Sequence, residues 1–371
     1  MRLHVGRSAI ALAGALATAV LVSSGATMAT AQQPPAPKFA PQSIVWPTPS
    51  DGYLLGSCGT TSCLAEVQAT HDGGKTWAKA GKTHNPLAMS GERGLTSIQF
   101  ADPKFGWAYD PYLEVTKDSG RTWTQVPVPG GDAKVLQLLA APDGTYVVTS
   151  GCAIGTGICD DKPLKVWRAP AGKSTGWQEV KVAVAADDNV LFAAQGPAVY
   201  LLSASFTAPD KLNTLRGGKV QSTSTVTCAD ADDAIVTALA TNGPNRLFVL
   251  CNAHYGRGQS VKTIMVSGDG GKSFRYDAVP GTLGLGSELA VGADGAVMFT
   301  TVTASLVYNR PALTKAWRYD QSWLENSEHI HDLVWQSATT AWLVERDAAY
   351  TPDTQLWVTR DAGKTWKAAT A

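Results

Sequence analysis

One eight-residue phrase recurs four times along the chain: THDGGKTW at Thr70–Trp77, TKDSGRTW at Thr116–Trp123, SGDGGKSF at Ser267–Phe274 and TRDAGKTW at Thr359–Trp366. The shared form is Ser/Thr-x-Asp-x-Gly-x-Ser/Thr-Trp/Phe. An internal repeat constrains architecture strongly, because each copy must be one structural unit packed on the next. An apolar, β-rich run precedes each copy (Leu64–Ala69, Tyr112–Val115, Val261–Val266, Leu356–Val358), and a shorter one follows, as at Thr122–Val126. The phrase therefore predicts a hairpin turn between two strands. Within it, Asp72, Asp118, Asp269 and Asp361 can accept bonds from N–H groups of the turn. Gly74, Gly120, Gly271 and Gly363 suit a position of positive φ. Trp77, Trp123, Phe274 and Trp366 would plug each hairpin into an apolar layer.

This phrase resembles the Asp-box, or bacterial neuraminidase repeat, of sialidases, sortilin-type receptors, xyloglucanases and photosystem II assembly factors. The resemblance implies an all-β propeller whose blades are four-stranded antiparallel sheets, with strands named A to D and the box between C and D. It also implies that the boxes lie at the rim away from the ligand face, bracing turns rather than forming a carboxylate site.

Spacing gives the number of blades. The box aspartates are 46, 151 and 92 residues apart, near one, three and two steps of a single repeat. Six steps make seven units. A second series, a turn followed by a β-run with a large side chain, recurs at Tyr53, Trp107, Tyr146, Tyr200, Phe248, Met298 and Trp342, at steps of about 48 residues. A seven-bladed β-propeller follows. Three boxes have decayed: Arg168–Trp177 keeps Gly172 and Ser174 but has Pro170 in place of the Asp, and Arg216–Gly218 and Arg310–Trp317 are weaker remnants. These should keep a hairpin and lose its side-chain brace. The propeller is expected over residues 43–371, with strand A of the first blade near Ser43 and strand D of the last ending at Lys367. No strand should then be lent across the ring closure.

The chain is 371 residues long, which by itself would suggest two domains; the unbroken repeat argues for one ring. Residues 1–31 read as a secretory signal peptide, with Arg2 and Arg7 before an apolar Ala9–Val22 and a cleavage site after Ala31. A membrane anchor would need ~18 or more consecutive apolar residues. Residues 32–42 form an N-terminal extension, and the mature protein is expected to be secreted and extracellular. Removing Arg2 and Arg7 leaves 29 basic against 31 acidic side chains, a net charge of −2. That balance makes no case for nucleic acid or for membrane insertion, and a monomer is expected.

Six cysteines agree with export. On the blade map Cys58, Cys152 and Cys251 end strand B of their blades. Cys63 and Cys159 close their own B–C loops, and Cys228 precedes strand A of blade 5. In a propeller the B–C and D–A loops share one face, so the expected disulfides are Cys58–Cys63, Cys152–Cys159 and Cys228–Cys251. The cysteine spacings do not suit zinc; no metal and no cofactor is expected.

Function should lie in the B–C and D–A loops. Glu92 and Arg93 could bind a polar ligand or simply pair in solvent. His254, Tyr255 and Arg257 offer an aromatic platform, an imidazole and a cation, suited to a sugar or a carboxylate, or else an exposed mixed loop. Glu328, His329 and His331 enter strand A of blade 7; the alternating histidines would share one face of a regular strand. They read as metal ligands without an identifiable third partner, or as channel-lining groups bound to water or Glu328. Asp110, Glu345 and Asp347 complete the carboxylates of this face.

The sialidase resemblance would require three arginines clamping a carboxylate, the first ahead of the first box. Lys38–Asp51 contains no arginine, and the first after the signal peptide is Arg93. Seven blades also differ from the six of sialidases. Xyloglucanases pair two propellers around a cleft, and this chain supplies one. Photosystem II assembly factors are the nearest overall resemblance, although their arginine-rich patch is not recognisable. The sequence thus reads as a secreted, non-catalytic binding or scaffold propeller taking a protein or carbohydrate ligand. A glycoside hydrolase using carboxylates of the loop face is the alternative.

Overall fold

The computed structural model describes residues 39–57, 64–87, 94–131, 133–151, 164–186, 188–205, 208–228, 234–243, 245–256, 259–279, 284–292, 294–302, 307–311, 315–320, 329–346 and 354–371, all within one compact unit, Pro37–Ala371. For His254, Tyr255, His329 and His331 the backbone alone is described. The expectations for residues 1–38, Cys58, Cys63, Glu92, Arg93, Cys152, Cys159, Arg257, Glu328 and Asp347 lie outside the described residues.

The described residues contain no helix, and their strands form seven antiparallel sheets of four. Blade 1 is β1 (Ala40–Val45), β2 (Gly52–Ser57), β3 (Leu64–Thr70) and β4 (Ala78–Pro86). Blade 2 is β5 (Ser97–Phe100), β6 (Gly106–Tyr109), β7 (Leu113–Thr116) and β8 (Thr124–Gln125). Blade 3 is β9 (Lys134–Ala141), β10 (Gly144–Ser150), β11 (Lys165–Pro170) and β12 (Gln178–Val180). Blade 4 is β13 (Asn189–Gln195), β14 (Ala198–Ala204), β15 (Asp210–Arg216) and β16 (Lys219–Val226). Blade 5 is β17 (Ile235–Gly243), β18 (Arg246–Gly256), β19 (Gln259–Ser267) and β20 (Arg275–Ala278). Blade 6 is β21 (Leu285–Val291), β22 (Val297–Val302), β23 (Val307–Arg310) and β24 (Arg318–Asp320). Blade 7 is β25 (His329–Trp335), β26 (Ala341–Arg346), β27 (Thr354–Thr359) and β28 (Lys367–Ala369).

Within every sheet the strands pair in chain order, so each blade is one continuous piece of chain. The A strands β1, β5, β9, β13, β17, β21 and β25 each touch the next, and β25 returns to β1. That closes a seven-bladed β-propeller with its A strands innermost. Burial follows from this order. Strand B is covered on both faces by neighbouring blades, so β10 is buried throughout Gly144–Thr149. Strand D is the outer edge, and β16 is exposed over Lys219–Thr223. The seven large side chains that count the blades all lie on strand B, and each is at most 1 % exposed.

The boxes join strands C and D in blades 1, 2, 5 and 7. In blade 1 the Asp72 carboxylate accepts from the Thr70 hydroxyl (2.8 Å), Lys75 N–H (2.9 Å), Thr76 N–H (3.0 Å) and the Thr76 hydroxyl (2.7 Å). Asp269 and Asp361 repeat this set with Ser267 and Ser273, and with Thr359 and Thr365. Asp118 does so with Thr116 and Thr122. Each box turn also bonds to the A–B loop of its own blade, as in Gly73 N–H to Ser50 O (3.0 Å) and Ala362 N–H to Thr339 O (2.8 Å). The boxes therefore occupy the end opposite the B–C and D–A loops. Two successive residues of each turn have positive φ, one more than the sequence suggested: Ser119 (66°) precedes Gly120, and Ala362 (58°) precedes Gly363.

The decayed boxes keep their hairpins, but the blade 4 turn is not unbraced. Gly217 N–H donates to Asp143 Oδ2 (2.8 Å) and Gly218 N–H to the Tyr146 hydroxyl (3.1 Å), which itself donates to Asp143 (2.8 Å). Blade 3 thus supplies in trans the carboxylate that blade 4 lost. In blade 6, Arg310 pairs with Asp277 of blade 5 and stacks on Trp317, 4.6 Å from the ring centre.

Among the described residues no strand crosses the seam between blades 7 and 1. The Asp332 carboxylate of β25 instead accepts from the Ser43 hydroxyl (3.0 Å) and Ile44 N–H (2.9 Å) of β1. Gln336 Nε2 donates to Pro49 O (2.6 Å). Trp46 stacks on Trp342 with ring centres 5.4 Å apart, and Trp77 meets both rings edge-on.

Candidate functional site

The B–C and D–A connections share one end of the ring, and the A strands lead from it into the channel. Five A strands, β1, β9, β17, β21 and β25, carry an irregularity at the same level, two to three residues beyond the large strand-B side chain. An inserted residue bends a strand and re-aims its side chain, and such bulges collect at barrel rims and sites. In β21 the irregular pair is Ser287–Glu288, where Thr300 Oγ1 accepts from Glu288 N–H (3.2 Å). In β25 the extra residue is His331, so strict alternation does not carry from His329 to His331. His254 and Tyr255 likewise fall in a break of the β18–β19 ladder.

Asp110, Asp332 and Glu288 are carboxyl groups at this end of the ring whose pKa values are raised. Asp110 follows β6 and accepts from the Thr96 hydroxyl (3.0 Å). Burial, partly offset by that bond, raises its pKa. Asp332 is pushed up to about 6 by burial, against the bonds from Ile44 and Ser43. Glu288 is pushed up to about 8, first by burial and then by the charge of Asp332. The buried Tyr109 hydroxyl is raised by burial, against a lowering bond with Ser97, and raised further by the charges of Asp332, Asp110 and Glu288. Glu345, another carboxylate of this face, is buried and accepts from Trp357 Nε1, which makes it a packing group. Among the described residues no cluster of three His, Cys, Asp or Glu side chains could hold a metal ion, and no helix is long and apolar enough to cross a membrane.

The same face carries the Cys228–Cys251 disulfide, with Cα atoms 5.9 Å apart, tying the connection into blade 5 to its strand B. Between blades 3 and 4 a cleft of about 500 Å³ opens beside the connection from β12 to β13. Its cause is local. Strand β12 pairs only with Val166–Arg168 of β11, after which the chain turns inward and buries Val184. The Lys165 end of β11, paired with Thr149 of β10 on its inner side, is left without a strand on its outer side. Val182, Val184, Ala208 and Pro209 form apolar walls, and Asp188 holds the Ser203 hydroxyl and Ala185 N–H at the inner end.

The sequence nominated Asp110 but neither Glu288 nor Asp332. A lone Glu between apolar positions in the β21 run GSELAV was the available clue. Nothing in the sequence announced the cleft, because it depends on how short β12 is.

No family profile matches the chain, and no curated protein matches it by sequence. Solved structures do. YCF48 from Cyanidioschyzon merolae superposes with a TM-score of 0.56 at 13% identity, over 89% of this chain and 98% of that one. YCF48 bound to D1 peptide gives 0.55 at 14% identity, over 88% and 95%. A catalytically inactive virginiamycin B lyase from Staphylococcus aureus with quinupristin gives 0.58 at 8% identity, over 87% and 95%. At these identities the likeness establishes the fold, a single propeller, and nothing finer.

Proposed function

We propose that this protein is an exported, non-catalytic binding propeller that holds a segment of another protein on the face formed by its B–C and D–A loops. The observation that carries this reading is the cleft between blades 3 and 4, about 500 Å³ with mainly apolar walls and a few polar groups. Ligand sites share that size and lining. A neighbour of the same fold, YCF48, has been seen with a peptide bound, which supports a protein segment over a glycan as occupant. Selection of a random peptide library on the purified protein should enrich binders. Ala208→Arg, which fills the cleft, should weaken them by about tenfold or more, read by fluorescence anisotropy. Undiminished binding to that variant would remove the cleft from the site.

The hydrolase alternative rests on the channel carboxyls. A glycosidase needs one protonated and one ionised carboxyl. Glu288 and Asp332 are pushed up to about 8 and about 6, which gives that pair at neutral pH. Against it, Asp332 Oδ2 is already committed to Ser43 and Ile44 at the seam. Aryl glycosides and sialosides should not be turned over; turnover abolished by Glu288→Gln would establish the hydrolase.

A further inference from the structure

The cleft continues down the flank of the ring. A second hollow of about 370 Å³ lies between β12 and the β15–β16 hairpin. Glu179 lines both, so the two hollows adjoin at β12, and residues of the stretch Gln178–Asp188 line each side of this groove. The groove runs along the free edge of blade 3, where β12 ends its sheet and covers only three residues of β11. An extended chain laid there would continue the line of strand D past Val180, the geometry of strand addition at a sheet edge.

The charges along the groove are uneven. Among the described residues that line it, Lys165, Arg168, Lys181, Lys211 and Lys219 face two carboxylates, Glu179 and Asp188. Glu179 is already paired with Lys181 at 3.1 Å, and Asp188 accepts the Ser203 hydroxyl. Arg168 is the exception, because its Nη2 donates to Asp143 O and its Nε lies 3.9 Å from the Asp143 carboxylate, so the excess rests on the four lysines. A local excess of cations on a chain of zero formal net charge is a complement to an anionic partner. The exposed Val220 and the Val182 and Val184 wall supply apolar contact between the charges.

We propose that the groove beside Gln178–Asp188 is a docking track for an extended, acidic segment of a partner protein. This rests on the binding reading above and names the chemistry of its partner. Alternating acidic and apolar residues fit best, because successive side chains of an extended segment point to opposite sides.

The test uses the whole purified chain and fluorescein-labelled peptides of about ten residues, long enough to span an extended track of this kind, built from alternating Glu-Val, Gln-Val or Lys-Val. The Glu-Val peptide should bind about tenfold or more tightly than the other two, with affinity falling as salt rises. The double variant Lys181→Glu/Lys219→Glu should lose that preference at an unchanged melting temperature, and so should Lys165→Glu/Lys211→Glu. Lys75→Glu, on a box hairpin of blade 1, should bind like the parent. Equal binding of Glu-Val and Gln-Val peptides, both lost in Ala208→Arg, would overturn the acidic assignment while leaving a peptide site in place. Binding of a heparin fragment or an oligonucleotide, with no peptide bound, would overturn this proposal and the peptide reading together.

Discussion

A box aspartate works by geometry confined to seven residues, Thr116 to Thr122 in blade 2. In blade 2, Asp118 takes Thr122 N–H (2.9 Å), the Thr122 hydroxyl (2.7 Å) and the Thr116 hydroxyl (2.9 Å), and Trp123 closes over the turn with its Nε1 donating to Gly120 O (3.0 Å). Hydrogen bonds from Thr76 and Ser273 hold Asp72 and Asp269 below the ordinary carboxylate range. At Asp118 and Asp361 the same bonds outweigh an opposing effect of partial burial. Asp118→Ala should cost about 1–3 kcal/mol of unfolding free energy, measured by urea denaturation. Ala362 sits at φ 58°, where L-residues are strained, so Ala362→Gly should gain up to about 1 kcal/mol. A loss in that variant would show that the turn is not strained. The aspartate and the second glycine were legible in the sequence because their partners lie within four residues. The first left-handed position was not, because Ser119 and Ala362 carry no mark of it.

Blades are also tied to one another by single buried side chains. Glu114 on β7 is fully buried and accepts from His84 N–H (2.9 Å), Asn85 N–H (2.9 Å) and Asn85 Nδ2 (2.7 Å) of β4. It joins the outer strand of blade 1 to blade 2. Glu114→Ala leaves two backbone donors unpaired and should cost about 2–4 kcal/mol, with amide exchange at His84 and Asn85 accelerated before that of β3. Exchange unchanged at those two amides would assign the cost to packing alone. The strands themselves were legible from alternation, turn residues and the recurring large side chain of strand B. The trans brace from Asp143, the bulges of the A strands and the shortness of β12 were not. Each is a contact or a gap between segments far apart in sequence, and local pattern carries no trace of those.

At the scale of the ring, two sets of carboxyls oppose each other. Glu288 and Asp332 hold their protons more tightly folded than unfolded, so they favour the fold while protonated. That contribution is complete below the ordinary carboxylate range and is lost as pH rises, by about 6 for Asp332 and about 8 for Glu288. The box aspartates, held low, contribute above the ordinary range and lose that contribution as pH falls below about 4. Thermal midpoints should therefore be highest near pH 4 to 5 and decline toward about 8. Glu288→Gln should flatten the upper limb. A midpoint that rises from pH 5 to 8, or a slope untouched by this variant, would contradict the placement of Glu288 among Asp332, Asp110 and Tyr109. The seven-fold architecture was written in the repeat, whereas the carboxyl group at the channel arises only when β6, β21 and β25 converge.

Because, among the described residues, every sheet is made from one stretch of chain in order and the two ends of the ring are joined by side chains such as Asp332 with no borrowed strand, the circle has no privileged starting point. Any junction between one outer strand and the following inner strand is an equivalent place to cut. Duplicating or deleting one such stretch would leave every remaining strand paired within its own blade, while contacts between particular blades, such as Asp143 to Gly217, hold only for the present order.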